Sequence, residues 1–194
     1  MSRRPAGAAV LQEDVTHAIA AAVIGELAEH GYGRLSIEAV ARRAGVGKTT
    51  IYRRWPTKEA MVVAVLAPIA VAAIDVPDTG SLHTDLRRYL ADAATALEHP
   101  LASRIIPDLL AEAARSSALA DSLITTIRDA RREKAAQLVR RAIDRGELAA
   151  DIDVELALDM IGGPLYWRLA VVHSPRPADY LDRLTDRVVA ALRA

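Results

Sequence analysis

Ser36-Ile-Glu-Ala-Val-Ala-Arg-Arg-Ala-Gly-Val-Gly-Lys-Thr-Thr-Ile-Tyr-Arg-Arg-Trp55 is the stretch from which the fold of this chain can be read. Ser36 is a natural N-cap for a short helix Ile37 to Arg43, Gly45 breaks that helix, and a second short helix fits from about Gly47 to Arg54. Two helices that cross steeply through a tight turn need three things. They need a small residue where the backbones approach, a glycine free to take positive φ, and apolar plugs on the inner faces. Ala41, Gly45 and Ile51 fill these roles at the required offsets, and Val40, Ala44 and Val46 complete the inner face. The pattern is a helix-turn-helix. Its second helix leaves Lys48, Thr49, Tyr52 and Arg53 on the outer face, able to reach phosphates and base edges in a major groove one helix wide. A plain αα-hairpin with a solvated cationic face is the competing reading.

Charge favours the nucleic-acid reading. The 25 Lys/Arg and 25 Asp/Glu of the chain balance, but residues 31–60 hold seven cations against two acids, an excess of five. The remainder from residue 61 holds 16 cations and 19 acids, so the basic region is the expected polyanion-binding part. Gly45-Val-Gly-Lys-Thr-Thr50 also resembles the tail of a phosphate-binding P-loop. The full pattern requires glycine at Arg42, and a P-loop must follow a buried strand, whereas 37–43 has helical spacing. A nucleotide hydrolase is therefore set aside.

Outward from this core, apolar spacing of three and four recurs almost everywhere, which predicts an all-α protein of about nine helices. Leu11, Val15, Ile19, Val23 and Leu27 predict a first helix over 11–30, stopped at Gly31-Tyr32-Gly33. Thr57 is expected to cap a fourth helix running to Ile74, kinked at Pro68. Further helices fit 81–98, 101–114, 117–145, 153–172 and 177–193. The expected division places an N-terminal three-helix DNA-binding domain at 1–57 and a helical-bundle effector-binding and dimerisation domain at 58–194. Ahead of the first helix, Arg3 and Arg4 form a basic arm expected to enter a minor groove.

Several functional classes are disfavoured. Although 52% of residues are apolar, charges interrupt every stretch approaching the ~20 residues of a membrane helix. No secretion signal is recognisable at the start, so a cytoplasmic location is expected. Cysteine is absent, which removes disulfides, thiolate nucleophiles and Cys-based metal sites. The five histidines, at 17, 30, 83, 99 and 173, lack ligand spacing, and no Gly-x-Ser-x-Gly elbow exists. No metal, cofactor or enzymatic activity is expected.

The order long helix, helix-turn-helix, then Ile51-Tyr-Arg-Arg-Trp-Pro-Thr-Lys-Glu-Ala60 resembles the N-terminal region of tetracycline-repressor (TetR) family regulators over roughly residues 11–60. The resemblance implies that Ser36, Lys48, Thr49, Thr50, Tyr52 and Lys58 lie where the family touches double-stranded DNA. Tyr52 and Lys58 would meet phosphates, and Lys48 and Thr49 would lie near base edges; Arg53 joins them as an expected contact. Trp55 should pack under the recognition helix. The later segment Gly162-Gly-Pro-Leu-Tyr-Trp-Arg-Leu169 is similar to one subgroup of the family, whose C-terminal part holds a dimer interface and an effector pocket.

From the residues themselves, Leu158, Ile161, Leu165, Leu169 and Val172 form one stripe, and Leu181, Leu184, Val188 and Leu192 another, enough for two faces of a bundle in a homodimer. Tyr89, His99, Arg104, Tyr166, Trp167 and His173 are candidates to give polar or aromatic character to a mainly aliphatic pocket for a small apolar effector. The expected function is a repressor released from a palindromic operator when that effector binds. A constitutive DNA-binding protein without an effector is the alternative.

Overall fold

The computed structural model describes residues 7–194, with side chains from residue 12 onward; the basic arm with Arg3 and Arg4 lies outside them. The described residues form nine helices and no strand. α1 spans Gly7–Arg34, α2 Ile37–Ala44, α3 Lys48–Tyr52, α4 Lys58–Ala72, α5 Leu82–Glu98 and α6 Ala102–Ala113. α7 runs from Ser117–Leu123 through a widened π-helical turn, Ile124–Arg128, into Asp129–Asp144. α8 joins Val154–Tyr166 to a second π-helical turn, Trp167–Val171. α9 is Tyr180–Leu192.

Local chemistry sets the helix ends. Ser36 accepts the Ala39 amide and Thr57 the Ala60 amide, each through its side-chain oxygen at 3.1 Å, so both behave as the N-caps their type favours. Gly45 has φ 67°, a left-handed conformation that ends α2 and turns the chain toward α3. The Val46 amide closes that turn on the Ala41 carbonyl at 3.0 Å. α1 continues past the expected stop near residue 30, but with a break: Gly31 has φ 74°, ψ 169° inside the helix. Pro68 lies within α4 and is exposed.

Two apolar cores result. The first gathers Ile19, Val23 and Leu27 of α1, Val40 and Ala41 of α2, Ile51 of α3 and Met61, Val62, Val63 and Val65 of α4, and is completed by Ile105 and Leu109 of α6 and Leu119 of α7. The second lies among α5, α7, α8 and α9 and takes Ile74 from just beyond α4. The segment from α4 to Ile74 therefore reaches both cores. The end of that connection is fixed from α7: Lys134 Nζ donates to the carbonyls of Val71 and Ile74, both at 2.7 Å.

Candidate nucleic-acid interface

The helix-turn-helix has the inner face its sequence implies. Ile51 is fully buried, Ala41 nearly so, and Trp55 packs half-buried against the same core. With Ile51 turned inward, α3 presents Lys48, Thr49 and Tyr52 to solvent and Arg53 just beyond its end, all four exposed. Thr50 and Ser36 are half-buried, and the Ser36 oxygen already serves as the α2 cap. The Gly-x-Gly-Lys-Thr segment follows helix α2 and not a strand, so the strand-loop-helix frame of a P-loop does not exist there.

Electrostatics in space differ from the count along the chain. α1 lies against α2 and brings Glu26 and Glu29 to Arg43. The guanidinium bonds Glu29 at 2.5 and 2.9 Å and Glu26 at 3.3 Å. That pairing, led by the Glu29 hydrogen bond, holds the Glu29 carboxyl below its ordinary value and the guanidinium above its own. Lys48 bonds Glu38 across the turn at 2.9 Å, which lowers the Glu38 carboxyl and raises the ammonium. Both partners are exposed, so this pair is solvent-screened and readily exchanged for a phosphate. Arg54 bonds the Thr50 carbonyl at 3.3 Å. Lys58 is half-buried; its Nζ donates to the Tyr32 carbonyl at 3.0 Å and sits 4.1 Å from the centre of the Tyr32 ring. Arg53 makes no side-chain hydrogen bond among the described residues.

The six residues expected at an effector pocket do not share one environment. Tyr89 is buried in the second core, where loss of water raises its phenol pKa, and Tyr166 packs half-buried against that core. His99 is exposed, and its Nδ1 accepts the Leu101 amide at 3.2 Å. Arg104, His173 and Trp167 are exposed, Trp167 at 63%. A surface groove of about 560 Å³ between α7 and α8 is lined chiefly by Arg128, Arg132, Arg140, Glu133, Glu155 and Asp159. None of the six lines it, and its walls are charged. No grouping of three or more potential metal ligands occurs among the described residues, and none of their helices is long and apolar enough to cross a membrane.

The two apolar stripes expected at a dimer interface are largely used within the subunit. Leu158, Ile161 and Leu165 of α8 and Leu181, Val188 and Leu192 of α9 are buried in its own core. A different α8 face carries exposed apolar groups: Leu156 at 56% and Trp167 at 63%, with exposed Gly163 between them. The intervals of seven and four residues keep all three on one side of the helix. Periodicity could not identify this face, because the glycines and acids beside it break the apolar stripe.

A helix-turn-helix whose inner face is buried and whose recognition helix turns a polar face outward, joined to a larger helical bundle, defines a helix-turn-helix DNA-binding regulator. Residues 19–65 match the family described as bacterial regulatory proteins, tetR family, and residues 76–188 match the tetracyclin repressor-like, C-terminal domain. An uncharacterised HTH-type transcriptional regulator of Bacillus subtilis, YdeS, is 33% identical over 164 residues, covering 82% of this chain and 81% of its own. The DNA-binding transcriptional repressor TetR of Mycobacteroides abscessus is 32% identical, covering 90% and 92%. The crystal structure of the TetR family transcription regulator SCO0332 superposes with a TM-score of 0.74 at 28% identity, over 91% of this chain and 97% of that one. The chain belongs to the TetR family of bacterial transcriptional regulators and is a DNA-binding regulator of transcription.

Proposed function

We propose that the protein is a homodimeric repressor that places two copies of α3 in successive major grooves of a palindromic operator and leaves it when a small apolar effector binds. The observation that carries the DNA-binding half is the division of α3: Ile51 is wholly buried while Lys48, Thr49, Tyr52 and the adjoining Arg53 face solvent together. In this reading Lys48 and Thr49 meet base edges. Ser36, Thr50, Tyr52, Arg53 and Lys58 meet the sugar-phosphate backbone and set the register. Residues 1–57 act as the DNA-binding part and 58–194 as the dimerising and sensing part. The match of 76–188 to the family's C-terminal domain supports that assignment, since regulators of this family bind small-molecule effectors and form dimers. The exposed Leu156, Gly163 and Trp167 face of α8 supplies the dimer contact. Ligand would favour a spacing of recognition helices that no longer fits one turn of DNA, at a coupling of ~1–3 kcal/mol. Selection of bound sequences from random DNA with purified protein is the test. An inverted repeat with half-sites one helical turn apart is expected, and enrichment of no motif refutes sequence-specific binding.

A further inference from the structure

Four observations meet at one buried residue, Tyr32, which is 4% exposed. Gly31, at φ 74°, breaks α1 and turns the Tyr32 amide toward α6, where Asp108 Oδ2 accepts it at 2.6 Å. A Cβ on Gly31 would stand 3.0 Å from Asp108 Oδ1, so the missing side chain leaves room for the carboxylate. On the other side, the Tyr32 carbonyl and ring hold the Lys58 ammonium, at 3.0 and 4.1 Å. The Tyr32 hydroxyl donates to Glu59 Oε1 at 2.9 Å. One residue is thus bound at its amide by α6 and at its carbonyl, ring and hydroxyl by the first two residues of α4, the carbonyl also accepting the Leu35 amide at 3.2 Å.

The consequence concerns Lys58. An ammonium has three donors; the Tyr32 carbonyl takes one and leaves the others for an outside acceptor. A free surface lysine must give up rotamer entropy to grip a phosphate, whereas Lys58 is already held. What holds it is the carbonyl and ring of the residue whose amide donates to Asp108. We propose that Asp108 is a positioning residue for DNA binding: through the Tyr32 amide it fixes the carbonyl and ring that aim Lys58 at a phosphate. The proposal rests on the reading of Lys58 as a phosphate contact. Asp108 belongs to α6, so a shift of α6 reaches the DNA-contacting surface through Tyr32 without first passing along α4.

The test uses the full-length protein on its selected operator, with affinity measured from 50 to 200 mM salt. Lys58→Ala should flatten the plot of log affinity against log salt by ~0.9 per subunit, so that each lost contact makes the affinity drop over this range roughly 3.5-fold smaller. Asp108→Ala should flatten it in the same direction, and the double variant should be no flatter than Lys58→Ala alone. Asp108→Asn, which keeps an oxygen acceptor for the amide, should retain the native slope; a general loss of stability would weaken binding without this pattern. Asp108→Ser, polar but one atom too short to reach the amide, gives the same reading if the alanine variant unfolds. A native slope in Asp108→Ala and Asp108→Ser, or slope changes additive with Lys58→Ala, overturns the positioning role. A native slope in Lys58→Ala refutes the phosphate contact itself, a separate failure.

Discussion

Truncating Trp167 to alanine should dissociate the dimer. The indole is 63% exposed in the single subunit. A tryptophan that buries on the order of 150–250 Å² in a complete contact therefore has about 100–160 Å² still to lose to a partner. At ~25 cal/mol per Å² this is about 2.5–4 kcal/mol for each copy, and a two-fold interface contains two copies. Only part of that area term survives the ordering costs of association, so we expect the dimer dissociation constant to rise by at least ~100-fold, about 2.7 kcal/mol. Sedimentation equilibrium over a concentration series reads this directly. Operator binding should become steeper in protein concentration as dimerisation becomes coupled to it. Leu110→Ala is the control, since Leu110 is also exposed, at 46%, but belongs to a different helix, α6. An unchanged dimer constant in Trp167→Ala, or an equal loss in both variants, refutes the assignment of this α8 face.

On a panel of mutated operators, Lys48→Ala and Thr49→Ala should alter base preference, whereas Lys58→Ala should weaken all sites about equally; the reverse pattern would mean that α3 is docked incorrectly. Thermal melting against pH should show two limbs linked to the Tyr32 cluster. The Glu59 carboxyl is held below its ordinary value, mainly by its backbone amide and further by the Tyr32 hydroxyl. Its contribution is present above the unfolded carboxylate pKa and is lost as pH falls through the lower folded value, so Glu59→Gln should flatten the acid limb. The Tyr32 phenol is raised, first by burial and then by Glu59. Its contribution is complete below about pH 10 and fades above it, so Tyr32→Phe should flatten the alkaline limb; unchanged limbs in both variants would count against this linkage. Pro68→Ala restores an amide inside α4 and should raise the melting temperature, since proline costs ~3 kcal/mol in a helix interior. If α4 transmits the effector signal, the same variant should change the ratio of operator affinities with and without ligand; an unchanged ratio leaves Pro68 outside signalling.

The helix-turn-helix was legible because its determinants are local. The Ser36 and Thr57 caps, the left-handed Gly45 and the inward Ile51 act over three to six residues, and a sequence displays such spacings openly. The same holds for the nine helices, whose apolar repeats and Gly or Pro punctuation mark most ends within a few residues. The long-range choices were not legible. Glu26 and Glu29 neutralise Arg43 from 14 to 17 residues away, so the cationic excess of residues 31–60 overstates the charge open to DNA. Asp108 finds the Tyr32 amide across 76 residues, with no local signal beyond Gly31 itself. Periodicity shows that a helix has an apolar face but not which neighbour will cover it: Leu158, Ile161 and Leu165 turned into the subunit, and Leu156 and Trp167 were left outside. By itself the sequence determined the helices, their caps and the recognition motif, because backbone propensity and side-chain spacing act within a few turns. The tertiary structure decided which charges remain free, which apolar surface stays exposed and how α6 is bonded to the end of α1, because these depend on through-space packing between helices far apart in the chain.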